Sequence, residues 1–198
     1  MKRRLQIVAV ALAFGFGLSG CGNDSGQSSG SGSAGTTKST KSTKESGMDM
    51  QEAAERSDGM LDAVLKEINP EVQWAHGPTT TGSCDVTRRR TVMTIVSAER
   101  RQSFLDQVEK FWRKSDYRIK AKNNDKEFPA VYAQTKAGFG ISVSFRGKGQ
   151  AFFEADSPCV KESKVANSTS KPNGPAYEGV YPLPRPNVHS DYWSTGAA

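Results

Sequence analysis

Histidine is almost missing from this chain. His76 and His189 are the only two in 198 residues, and they stand far apart. Neither belongs to an H-E-x-x-H segment, so a helix-borne zinc protease site is excluded. No G-x-S-x-G is present, which removes the strained serine turn of the α/β-hydrolases. Cysteine is limited to Cys21, Cys84 and Cys159, with no C-x-x-C pair and no histidine cluster beside any of them. A thioredoxin-type redox motif and a zinc knuckle are therefore absent. Long apolar runs are scarce too. The longest, Leu5 to Leu18, covers about 14 residues, against about 20 for a bilayer span. With no metal-ligand spacing and no dinucleotide fingerprint, neither a metal nor a cofactor is expected.

Some letters imitate motifs without their context. The "GFG" around Gly138 precedes a strand pattern instead of opening a helix, so it cannot cradle phosphate. Ser168-Thr169-Ser170-Lys171 spells the S-x-x-K of penicillin-binding enzymes, but in a polar segment without the companion motifs. His76, in "QWAHGP", reads as a loop residue. Arg88-Arg89-Arg90 reads as the start of a strand carrying solvated charges.

What the chain does have begins at its first residues. Lys2, Arg3 and Arg4 precede the short apolar run, and small residues follow it. That is the layout of a secretory signal; a short membrane helix or a buried helix is the alternative. Leu18-Ser19-Gly20-Cys21 then resembles the lipobox of bacterial lipoproteins. The resemblance implies cleavage before Cys21, a diacylglycerol on its sulfur, and a mature protein anchored in the cell membrane on the extracytoplasmic face. Two or more acyl chains, at about 0.8 kcal/mol per buried CH₂, give stable anchoring. The whole layout is similar to that of small lipoproteins of actinomycete type, and only Cys21 inherits a role from it.

Residues 1–20 thus read as the signal and 21–47 as a tether. The tether is Gly, Ser, Thr and Lys with almost no apolar side chain, so it cannot offset its ordering entropy. Its span as a random coil is roughly 25–30 Å. Removing the signal removes three basic residues and no acid, which takes the net charge from +6 to +3. So mild a basicity, without interleaved aromatics, does not point to nucleic acid. In an oxidising compartment the remaining pair, Cys84 and Cys159, reads as one disulfide. Closing a loop of about 75 residues is worth roughly 4.5 kcal/mol in the chain-entropy picture.

Residues 48–160 read as one globular domain. Asp49 and Glu52 have capping-box spacing, and Met60, Leu61, Val64, Leu65 and Ile68 form a helical stripe, which predicts a helix over 50–68 ending at Asn69-Pro70. Its other side carries Glu52, Glu55, Asp58, Asp62 and Glu67, an acidic and solvated face. A second helix is expected over 98–114, capped by Ser97, with Phe104, Leu105, Val108, Phe111 and Trp112 inward. Between the helices, 86–96 is rich in β-branched residues and predicts a strand. After the second helix the period becomes two, predicting strands near 117–122, 131–136, 141–146 and 150–155. "KAGF" and "RGKG" supply turn glycines. The expected fold is α+β: two helices on one face of an antiparallel sheet of about five strands, in two layers.

If the helices cover the apolar face, the other face presents Arg118, Lys120, Lys122, Lys136 and Arg146, among Tyr132, Gln134, Ser142 and Ser144. Such a face would attract a phosphate-rich polymer, an anionic lipid or an acidic protein partner; the plainer alternative is an ordinary solvated sheet face. The segment 161–198 is rich in Pro, Ser and Asn and ends in "YEGVYPLPRPNVHSDYW". It is expected to be a disordered tail, unless its aromatics dock on the domain or on a partner. The functional expectation is a non-enzymatic, membrane-anchored binding domain for an envelope component or protein. The alternative is a carrier of lipid or a small hydrophobic ligand, with a cavity lined by Trp74, Phe104, Phe111, Trp112, Phe145 and Phe153. An envelope hydrolase is the weakest reading, since no nucleophile and base pair is legible.

Overall fold

The computed structural model describes residues 47–174 and 185–196. The signal, Cys21 and the tether up to residue 46 lie outside the described residues, as does the segment 175–184. Helix α1 runs Met50–Glu67, and its start is the capping box expected from Asp49 and Glu52: each residue's side chain accepts the other's backbone N–H. Helix α2 runs Arg101–Lys114 behind a 3-10 turn, Ala98–Arg100. The expected cap, Ser97, does not cap it. Its hydroxyl instead donates 2.7 Å to the carbonyl of Thr195.

The strands are β1 Trp74–His76, β2 Thr80–Thr81, β3 Val86–Val92, β4 Arg118–Asn123, β5 Ala130–Gln134, β6 Gly140–Arg146 and β7 Gln150–Asp156. They form one antiparallel sheet in the order β1-β3-β7-β6-β5-β4, with β2 also pairing β3. The α+β fold stands as expected, with more strands than five. The additions, β1 and β2, are three and two residues long, too short to register as a period. The turn glycines behave as their positions require: Gly138 and Gly149 have φ of +91° and +71°. At Gly149 a Cβ would lie 2.1 Å from the Val96 carbonyl oxygen, so no side chain fits.

Both helices pack on one side of the sheet. Leu61, Val64 and Leu65 of α1 and Phe104, Val108 and Trp112 of α2 meet Val131, Ile141, Val143, Phe145, Phe153 and Ala155. Burial of each such side chain contributes about 1.5–3 kcal/mol before entropy.

The described parts of the tail are packed, and this corrects both the expected disorder and the domain boundary at 160. Lys161 bridges Asp49 in parallel, and Val188 bridges Thr94. Trp193 is fully buried; its ring lies 5.3 Å from that of Phe104, and its Nε1–H donates 2.6 Å to the carbonyl of Pro70. Prolines do forbid regular structure here. They do not prevent isolated aromatics from being drawn into a core whose strand ends supply the backbone hydrogen bonds.

A candidate binding face on the open side of the sheet

The register places residues on the side away from the helices in rows. One row runs Arg89 (β3), Glu154 (β7), Ser142 (β6), Tyr132 (β5); the next runs Thr91, Phe152, Ser144, Ala130. On this side β6 offers Gly140, Ser142 and Ser144 before Arg146 at its end. That leaves a shallow floor between half-exposed Tyr132 on one side and Phe152 and Glu154 on the other. At the β7 side a cleft of about 330 Å³ opens between Pro78, Thr80, Arg89, Arg146, Phe152 and Glu154. Two guanidinium groups converge there on one carboxylate: Arg89 Nε is 3.4 Å and Arg146 Nη2 is 3.9 Å from Glu154 Oε1. Arg89 is held further by Pro78 O and Thr80 Oγ1. Arg146 lies over the Phe152 ring at 5.1 Å and remains 62% exposed. The cleft therefore carries one net positive charge, shared between a closely held Arg89 and a more exposed Arg146.

Of the five cations expected on this face, Arg118 and Arg146 lie there. Arg118 stands opposite Gln134 and Arg146 opposite Gln150. Lys120 occupies a β-bulge between Ile119 and Ala121. The bulge shifts the alternation by one, so Lys122 pairs with core-facing Val131 and turns to the helix side. There it forms an ion pair with Glu109 of α2, and its assignment to the open face is corrected. Burial alone would raise the Glu109 pKa, but hydrogen bonds from Lys122 and Arg113 outweigh it and hold the carboxyl below its ordinary value. Lys136 is in the turn after β5, largely exposed, and 3.5 Å from Asp116. Arg89 belongs to the face and was absent from the expected set. Strict alternation from Val86 would have located it.

The same alternation overturns the solvated reading of the arginine triplet. Arg88 and Arg90 point toward α1 and are each 1% exposed. Asp58, assigned to a solvated acidic face, is 7% exposed and sits between them. Arg90 Nη2 is 2.7 Å from its Oδ1, and Arg88 Nε is 3.1 Å from its Oδ2. Asp62 joins at 3.3 Å from Arg90. The tail closes the group: Arg88 donates to Ala166 O and Thr79 Oγ1, Arg90 reaches Ser168 Oγ, and Ser170 donates to Asp62 Oδ2. His76 Nε2 lies 2.9 Å from the Ser170 carbonyl oxygen. Burial lowers its pKa, and the charge of Arg90 adds to that; the Ser170 carbonyl and the two aspartates act in the opposite direction. The Ser170 hydroxyl is committed to a carboxylate and the imidazole to a carbonyl, so Ser170, His76 and Asp62 do not form a nucleophile–base relay.

Cys84 and Cys159 form a disulfide, as expected, with Cα atoms 4.8 Å apart. Among the described residues no group of three or more His, Cys, Asp and Glu side chains is arranged to hold a metal ion, and no helix is long and apolar enough to cross a membrane. In class the molecule is an α+β protein with two helices against an antiparallel sheet. No known protein family, curated protein or solved structure matches the chain.

Proposed function

We propose that this is a lipid-anchored extracytoplasmic protein whose domain binds a phosphate-bearing anionic component of the envelope through the open face of its sheet. The carrying observation is the cleft where Arg89 and Arg146 share the single carboxylate of Glu154, beside the partly exposed ring of Phe152 and with no helix residue in its lining. Arginine forks suit phosphate and carboxylate oxygens, and Arg146 keeps most of its donors free for them. Anchoring rests on Leu18-Ser19-Gly20-Cys21, and the Cys84–Cys159 bridge fits an oxidising compartment. With Lys122 turned toward α2, Arg89 and Arg146 are the two cations that line the cleft.

The carrier alternative loses support from the core. Phe145 and Phe153 pack on Phe104 at ring distances of 5.4 and 6.1 Å, and Trp193 packs on the same ring at 5.3 Å. The test is polyphosphate binding by the full chain reconstituted in neutral nanodiscs. Reversing both arginines, Arg89→Glu with Arg146→Glu, is expected to weaken binding by tenfold or more, since two charge-assisted contacts are lost. Unchanged affinity and unchanged salt dependence would remove this reading.

A further inference from the structure

A second cleft, unrelated to the sheet face, lies between α1, the segment leading into β1 and the tail. Its volume is about 330 Å³, within the range of small-molecule pockets. Leu65, Val72 and Trp74 supply its apolar wall, all three buried at 8% exposure or less. The Trp74 ring is fixed from two sides, by the Arg90 guanidinium at 4.8 Å and the edge-on His76 ring at 5.4 Å. Four charged side chains complete the lining: Asp62 and Lys66 from α1, Glu71 before β1, and Lys171 from the tail.

These charges are not equivalent. Asp62 is committed to the buried group, where two arginines and two aspartates cancel. Glu71 is held by Asn173, whose side-chain N–H donates to it at 2.8 Å. Lys66 and Lys171 have no carboxylate partner among the described residues, and they come to the cleft from different segments, α1 and the tail. Leaving out the cancelled group, the cleft holds two cations and one anion around an apolar wall.

We infer that this cleft binds a small organic monocarboxylate with an apolar body. The carboxylate takes the charge left unmatched by Lys66 and Lys171, and the body lies on Trp74, Leu65 and Val72. One monoanion brings the cleft to neutrality; an uncharged ligand leaves one net positive charge unmatched. Because Ser170, Lys171 and Asn173 form one wall, binding also fastens the tail to the domain.

The test is NMR of the full chain, titrated separately with sodium benzoate and sodium 4-methylpentanoate, with benzamide and 4-methylpentanamide as uncharged counterparts. Both carboxylates should shift the Trp74 indole N–H, identified by its loss in Trp74→Phe, and the amides of residues 170–173. The uncharged counterparts should bind about tenfold more weakly or worse, the loss of a charge-assisted contact. The double variant Lys66→Gln with Lys171→Gln, exposed on both sides, should keep its melting temperature and lose the preference for the charged ligand. No shift at the Trp74 indole up to millimolar carboxylate would overturn the assignment. So would equal binding of the uncharged counterparts, tighter binding of zwitterionic L-leucine, or a preference that survives in the double variant.

Discussion

Asp58 is the residue on which most of the buried polar structure depends. It sits between two arginines that are each 1% exposed, and both lean on its carboxylate. Removing one member of a buried ion group leaves uncompensated charge behind, at a cost of about 3–5 kcal/mol. Asp58→Ala is therefore expected to lower unfolding free energy by that amount in a urea titration. Asp62→Asn, at a side chain 41% exposed, should cost less than about 1 kcal/mol. His76 gives the pH dependence. Its pKa in the folded protein is lowered from 6.5, so the unfolded chain takes up a proton first as pH falls. The stability that His76 contributes is complete above pH 6.5 and declines as pH drops from there to the folded value. His76→Gln should flatten the stability profile in that window, read from denaturant midpoints between pH 7 and 5.

At the scale of elements, the sheet shows how a single inserted residue redirects chemistry. Strict alternation over 118–122 puts Arg118, Lys120 and Lys122 together; the bulge at Lys120 sends Lys122 to α2 instead. The tail shows the reverse situation, a stretch without any periodicity that is nonetheless structural. It hangs on a few specific contacts: Trp193 in the core, Val188 beside Thr94, and Ser97 N–H to Trp193 O at 2.8 Å. Truncating a buried tryptophan costs about 3–5 kcal/mol. Trp193→Ala is expected to destabilise by that much in a calorimetric or urea experiment. Proteolysis near residue 190 should accelerate in the same variant, because the last described segment loses its anchor.

For the molecule as a whole, the Cys84–Cys159 bridge joins the start of β3 to the beginning of the tail across a separation of 75 residues. The backbone N–H of Val160 donates 2.7 Å to the carbonyl of Cys84, so the two segments stay aligned beside the bridge. Replacing both cysteines by serine leaves that alignment and removes the constraint on the unfolded chain. The expected loss is about 2–4 kcal/mol, or roughly 10 °C in melting temperature for a domain of this size. A change well under that range would mean that the tail contacts already hold the closure.

The sequence by itself determined the parts governed by local physics. The capping box at Asp49 and Glu52, the stripes of both helices, the period-two strands and the turn glycines at 138 and 149 all depend on neighbours within a few residues. The α+β class and two of the five cations on the open face followed from them, and the cysteine pairing followed from the count of cysteines. Tertiary structure decided the rest, because those outcomes depend on partners far along the chain. Arg88 and Arg90 are buried because Asp58, some thirty residues earlier, comes to lie under them. Lys122 leaves the open face because of how β4 pairs with β5, and Arg89 meets Glu154 because β3 pairs with β7. Trp193 becomes core only because Phe104 and Pro70 surround it. A charge or an aromatic carries no local sign of whether its counterpart waits at the other end of the fold.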